Sequence, residues 1–110
     1  MSIEDSSVVD GMGTEIATGT TVLTIADHLD WTDEKGHLQA IQDKLNAYLD
    51  FVDSGQLFEH KPSARETSIR IDIIAQHAAP ETVRWFFERA EQAAASNNVG
   101  LVYKQLPSGY

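Results

Sequence analysis

Hydrophobic and polar positions follow two different periods along this chain, and the periods predict its secondary structure. From Thr21 to Ala26 β-branched residues dominate and side chains alternate with a period of two, which is typical of a strand. A similar run, interrupted by glycines, extends from Val8 toward Ile16, and Thr18-Gly19-Thr20 supplies turn residues between the two. Two such runs around a glycine turn predict a β-hairpin.

A long amphipathic segment follows the hairpin. Asp30 or Thr32 is suited to cap the N-terminus of a helix, and Ser54-Gly55 is suited to end it. We predict a helix from Thr32 to Asp53, about 33 Å long at the usual rise per residue. Its apolar positions recur at helical spacing on one face: Leu38, Ile41, Leu45, Tyr48, Leu49 and Val52.

The rest of the chain predicts a loop, two strands and a second helix. Gln56 to Glu66 is largely polar and contains Pro62, so a loop is expected there, with Leu57 and Phe58 anchoring it to the core. Pro80 lies where a proline at the first helical position is favoured. The predicted elements are a strand from Thr67 to Ala75, a helix from about Pro80 to Ser96 and a strand from Val99 to Leu106.

The predicted elements follow the order ββαβαβ. Strand–helix–strand units favour right-handed crossovers between parallel strands, and the hairpin adds an antiparallel neighbour. We therefore expect an α+β fold, a two-layer sandwich in which a four-stranded mixed sheet carries both helices on one face. Because the 110 residues contain no repeat and no linker, residues 1–110 are predicted to form a single domain.

Charge narrows the classes of partner. The formal net charge is −9, and the eight Lys and Arg residues are scattered rather than gathered in a stripe. Such a chain repels nucleic-acid phosphate, so nucleic-acid binding is not expected, whereas a basic protein partner is compatible with the charge.

The absence of cysteine limits the kinds of site that the protein can form, and the N-terminal sequence bears on its cellular location. The chain has no cysteine, which excludes disulfides, thiolate metal sites and cysteine nucleophiles. Residues 1–10 lack the basic and apolar regions of a signal peptide, and no run approaches the roughly 20 apolar residues of a membrane span. We predict a soluble, cytoplasmic protein without membrane contact.

The densest group of chemically capable side chains follows the second predicted strand. The candidate metal ligands are Asp27, His28, Asp30 and His37. Imidazoles and carboxylates suit zinc or a similar divalent ion, although their spacing matches no established metal motif. In the alternative interpretation Asp30 caps the helix, His28 is an exposed residue at the strand end and Trp31 packs at the junction.

Other catalytic motifs are missing from the sequence. No serine lies in a G-x-S-x-G elbow, and the glycines form neither a phosphate-binding loop nor a dinucleotide fingerprint. The chain therefore predicts no catalytic residues and no cofactor, and an enzymatic activity has little support.

Two aromatic residues lie at the margins of the predicted helices. Trp85 falls off the centre of the second helix's apolar stripe, and Phe51 lies near the far end of the first helix. A large aromatic residue in such a place either widens the core or marks an interface, where tryptophan is enriched. Both residues are candidates for an interface, including that of a homodimer.

Several segments resemble one family of proteins. They are Val8-Val9-Asp10, Asp27-His28-Leu29-Asp30-Trp31, His37-Leu38, Leu45-Asn46-Ala47-Tyr48-Leu49 and Asp53-Ser54-Gly55. With these segments the chain resembles a bacterial family of short proteins catalogued only as a domain of unknown function. The similarity is densest from Val8 to Gly55 and weaker from the second helix onward. The resemblance implies one compact bacterial domain and assigns no activity.

Three functions remain in competition. The leading prediction is a non-enzymatic protein-interaction module, either an inhibitor or immunity-like protein that covers a basic site on a partner, or a protein that associates with its own copy. The second is a small metal-binding protein or metal-dependent enzyme that uses the aspartate–histidine group. The third is small-ligand binding between the sheet and the helices.

Overall fold

The computed structural model describes residues 11–105, apart from the side chains of residues 65 and 66. Within this range it has a four-stranded mixed sheet and three α-helices, which confirms the α+β fold class. The strands are β1 (Gly11–Thr14), β2 (Thr21–Asp27), β3 (Ile69–Ala75) and β4 (Val99–Gln105). The helices are α1 (Glu34–Asp53), α2 (Gln56–His60) and α3 (Arg84–Ala95). Val8, Val9 and Leu106, which were included in predicted strands, lie outside the described residues.

The strands lie in the order in which they follow one another along the chain. β1 pairs antiparallel with β2, and β2–β3 and β3–β4 are parallel. The register places Leu23 beside Ile71 and Ile25 beside Ile73. Because residues in register point to the same face, the apolar positions of neighbouring strands form a continuous surface.

The helices cover this apolar surface. Leu23, Ile25, Ile71 and Ile73 are fully buried on the sheet side of the core. Helix α1 contributes residues at the predicted helical spacing, and α3 contributes a shorter set. The buried residues that α1 and α3 contribute to this cluster are Ile41, Leu45, Tyr48, Val52, Phe86 and Ala94. Burial of one stripe on each helix is what stabilises helices of this length in a protein.

Helix α1 begins two residues later than predicted and has a different cap. Asp33 is the N-cap, and its Oδ1 accepts a hydrogen bond from the backbone N–H of Gly36 at 3.1 Å. Asp30 instead stabilises the turn before the helix, since its carboxylate accepts the backbone N–H of Thr32 at 3.0 Å. The predicted caps, Asp30 and Thr32, were therefore wrong.

The segment predicted to be a loop is largely helical. Helix α2 is followed by a 3₁₀ turn over Pro62–Glu66, and Leu57 and Ala64 are buried in the core cluster. Gly55 makes the turn between α1 and α2 possible, because its φ of 86° is strained for any residue with a side chain. The loop prediction depended on the polar composition of this segment. Burial of Leu57 and Ala64 nevertheless stabilises its helical turns.

The second predicted helix is confirmed with a later start. A 3₁₀ turn over Glu81–Val83 precedes α3, and Pro80 is extended. No helix within residues 11–105 is both long and apolar enough to cross a membrane.

Candidate functional site

The carboxyl end of β2 holds a buried carboxylate. The Asp27 side chain is fully buried, and its Oδ1 accepts the backbone N–H of Leu29 at 3.1 Å. Its Oδ2 lies 2.6 Å from Nε2 of His37, a residue of the first turn of α1. Asp27 therefore shapes the turn after the strand and ties the strand end to the helix.

Both ring nitrogens of His37 face oxygen atoms. Nδ1 lies 2.9 Å from the carbonyl oxygen of Asp30, which can only accept, so Nδ1 carries a proton and donates. Nε2 faces the Asp27 carboxylate, and the hydrogen bond between them also requires one proton. The Trp31 ring stacks on the imidazole with centroids 3.7 Å apart, and His37 is only 2% exposed. The pair is thus sealed between strand, helix and tryptophan.

The structure brings together two of the four predicted metal ligands. Asp27 and His37 contact one another directly. Asp30 contributes its carbonyl oxygen, while its exposed carboxylate binds Thr32, whose hydrogen bonds hold the pKa of Asp30 below its usual range. His28 is exposed. Among the described residues no three or more His, Asp or Glu side chains are arranged to hold a metal ion, so the metal site stays a prediction.

An aromatic layer continues from the buried pair toward β4. Trp31 meets Phe87 edge to face, and Phe87 packs on Tyr103 with ring centroids 4.5 Å apart. The Tyr103 hydroxyl donates to the carbonyl oxygen of His77 at 3.1 Å. Burial, and after it the nearby Asp27 carboxylate, raises the pKa of Tyr103 to about 12. This layer closes the edge of the sheet at which β2, β3 and β4 end.

The two long helices leave an open groove between them. It has a volume of about 570 Å³ and is lined mainly by apolar side chains from both helices. Leu45, Phe86 and Ala94 form part of its wall and also belong to the core. Other apolar lining residues are Leu38, Leu49 and Ala90. Concave apolar surfaces of this size are typical of binding sites.

Trp85 and Phe51 have different surroundings. Trp85 lines the groove, is 53% exposed and meets Phe86 edge to face. The guanidinium carbon of Arg89 lies 5.7 Å from the Trp85 ring centroid, a cation–π contact. Phe51 is half-buried, stacks on His60 at 5.7 Å and does not line the groove. Both assignments to an interface remain predictions.

A second charged cluster, which the sequence alone did not suggest, lies on the sheet face opposite the core. Asp72 is buried there and accepts from Arg70 at 2.7 Å, and Lys104 lies 3.5 Å away. Arg70 also donates to Glu15 at 2.9 Å. Its hydrogen bonds to Asp72 and then Glu15 raise the pKa of Arg70, and the same Arg70 contact lowers the pKa of Glu15. The alternation of Arg70 and Asp72 with isoleucines along β3 indicates a shared polar face, but nothing in the sequence indicates that Glu15 and Lys104 join them there.

These features define the class of the protein: a small α+β domain with a mixed sheet, a buried aspartate–histidine pair and an open groove between two helices. The chain belongs to DUF6572, a family of unknown function whose model matches residues 1–106. This match confirms the resemblance to a domain of unknown function. No curated protein and no solved structure gives a significant match to the chain.

Proposed function

We propose that the protein is a non-enzymatic interaction module, a two-layer domain that binds a helical segment of a partner protein in the groove between α1 and α3. The observation that carries this proposal is the open apolar groove with the half-exposed Trp85 at its side. Laying the apolar face of an amphipathic helix into a groove is a recurrent mode of peptide recognition.

The lining of the groove supports a helical occupant. Ala90 and Ala93 present small side chains along α3, so a partner backbone can approach closely there. Trp85 offers a large aromatic surface, and tryptophan is enriched among the residues that dominate binding energy at interfaces. An occupant would bury both features together.

The buried pair supports a structural rather than a catalytic role. A general base must reach the proton that it removes from a substrate. His37 is buried beneath Trp31, and both of its ring nitrogens already contact oxygen atoms. The groove and the pair therefore suggest different tasks: the groove binds, and the pair holds the β2–α1 connection.

One experiment compares two identical substitutions on α3. Ala93→Glu puts a carboxylate in the groove, whereas Ala95→Glu puts it at an exposed position of the same helix that does not line the groove. The wild type and both variants are used as baits in extracts of the native host, after circular dichroism has shown equal folding. We expect a defined protein to be retained by the wild type and by Ala95→Glu and lost from Ala93→Glu.

The narrower interpretations give different results. Retention of the same proteins by all three baits would contradict binding in the groove. A basic partner held by the acidic surface outside the groove would be retained by both variants and released by salt, as an inhibitor-like protein would be. Self-association would appear in sedimentation equilibrium as a dimer that Ala93→Glu dissociates.

The metal-binding alternative has a separate test. It predicts stoichiometric metal in protein purified without a chelating tag, and loss of that metal in both His28→Ala and His37→Ala. Metal content that neither substitution changes would contradict it.

A further inference from the structure

The groove differs in charge from the rest of the chain. The chain has 17 Asp and Glu against eight Lys and Arg. Among the lining residues of the groove, however, the charged ones are Lys35 and Arg89, both basic. The polar remainder is neutral and comes from α1: Gln39, Gln42 and Asn46. The charged side chains that line the groove are therefore both basic, in a protein that is acidic as a whole.

These two cations are also not neutralised within the described part of the chain. Elsewhere in residues 11–105, Arg70, Arg84 and Lys104 each form an ion pair with Asp or Glu. Neither Lys35 nor Arg89 takes part in an ion pair of the described residues, and Arg89 instead lies over the Trp85 ring. Asp43 is a carboxylate close to the groove, and its Oδ1 accepts a hydrogen bond from the lining residue Gln39 at 2.9 Å. Among the described residues, Lys35 and Arg89 can therefore each pair with a carboxylate of a bound partner.

The two cations lie in the N-terminal halves of helices whose starts are close together. Because β2, β3 and β4 are parallel, α1 and α3 return in the same direction, and Thr82 just before α3 donates to Glu34 at the start of α1 at 3.1 Å. Lys35 follows Glu34, and Arg89 lies one turn after Trp85. The apolar remainder of the groove extends from there toward the helix C-termini.

We infer that the occupant of the groove is an amphipathic helix that carries carboxylates beside its apolar face. This inference rests on the proposed function and names the chemistry of the partner at the same site. Apolar side chains of the helix would cover Leu38, Phe86 and Ala90, while its carboxylates pair with Lys35 and Arg89. The net charge of −9 repels an acidic helix at long range, as it repels a second copy of the chain. At physiological salt this repulsion is screened within about a Debye length, whereas the contacts with Lys35 and Arg89 act at short range.

The probe is a pair of synthetic 18-residue peptides with the same leucine and alanine face. One has glutamates along its flanks and the other has lysines. Binding to the full-length Trp31→Phe variant is followed by the fluorescence of Trp85, which is then the single tryptophan of the chain. Chemical denaturation first establishes that this variant is folded. If the variant is unfolded, the peptide affinities are measured on the wild-type protein by fluorescence anisotropy of labelled peptides.

We expect the acidic peptide to bind about tenfold more tightly than the basic peptide at physiological salt, as two exposed ion pairs would give. Lys35→Glu with Arg89→Glu should reverse the preference. Arg89→Glu alone should reduce the preference, and Arg84→Glu is its matched control, since Arg84 is an exposed arginine of the same helix that does not line the groove. The preference should survive this substitution.

Each other result has a definite meaning. Tighter binding of the basic peptide, equal binding of both, or binding of neither would overturn the inference. The proposed function would still stand in those cases if Ala93→Glu removes a partner that Ala95→Glu retains. A concentration-dependent dimer that Ala93→Glu dissociates would assign the groove to a second copy and would also overturn the inference.

Discussion

At the residue scale, the contact between Asp27 and His37 explains why the chain reverses so sharply after β2. The Asp27 side chain accepts a hydrogen bond from a backbone N–H and shares a second one with the His37 imidazole, and both partners lie within ten residues of it along the chain. A buried carboxylate is tolerated only when such partners replace water. The pair therefore fixes both the turn and the first turn of α1.

Removing the imidazole should destabilise the protein strongly. His37→Ala leaves Asp27 buried without its main partner and should lower the free energy of unfolding by about 2–4 kcal/mol. His77→Ala, at an exposed side chain, should change it by less than about 0.5 kcal/mol. Urea denaturation measures both values, and equal values for the two variants would contradict the structural role of His37.

Tyr103 should make the fold sensitive to alkali. Its pKa of about 12 in the folded protein exceeds the ordinary value of 10.0 for the free side chain. Since the folded state holds the proton more tightly, this contribution to stability is complete below pH 10.0 and is lost as the pH rises through about 12. Tyr103→Phe should flatten this part of the stability profile. An unchanged profile between wild type and variant would contradict the assignment.

At the element scale, the turn between α1 and α2 depends on a single glycine. Gly55 has a φ of 86°, and no atom lies within 4 Å of the place where a Cβ would be, so a substitution there tests conformation alone. Gly55→Ala should cost about 1 kcal/mol. Gly13→Ala, in β1 without a positive φ and also with open space, should not destabilise. Thermal unfolding compares the two, and an equal loss in both would refute the conformational explanation.

The sequence predicted the elements where periodicity was strong and failed where it was short. The spacing of Ile41, Leu45 and Tyr48 was sufficient for α1, because a stripe repeated over five turns has few alternatives. The helical turns of Gln56–His60 and Pro62–Glu66 were missed because each is a single turn, held by the burial of Leu57 and Ala64. One buried residue in such a short segment leaves no periodic signal.

The candidate sites show the same limit. Sequence proximity of Asp27, His28 and Asp30 suggested a common site, but consecutive side chains at a strand end point in different directions. The contact of Asp27 with His37 followed from the helix returning over the strand end. The groove could not be predicted from the sequence, because its walls belong to α1 and α3, and strand β3 separates these helices along the chain. The marginal position of Trp85 was its one visible sign.

At the scale of the whole molecule, charge and shape favour different kinds of contact. The acidic surface attracts basic partners over about a Debye length, whereas the groove offers apolar area and two cations at short range. Salt therefore distinguishes them. Binding in the groove should persist when salt rises from about 0.15 M to 1 M, because burial of apolar area is not screened. Loss of all partner binding in 1 M salt, measured by anisotropy, would contradict groove binding.

The most direct test of the central claim is photo-crosslinking in living cells of the native host. A photoreactive amino acid is placed at position 93, inside the groove, and in a separate variant at position 95, on the exposed side of the same helix. The account predicts that irradiation joins a partner protein to position 93 and not to position 95. Identical adducts from both positions, or adducts from position 95 alone, would contradict a protein-binding groove between α1 and α3.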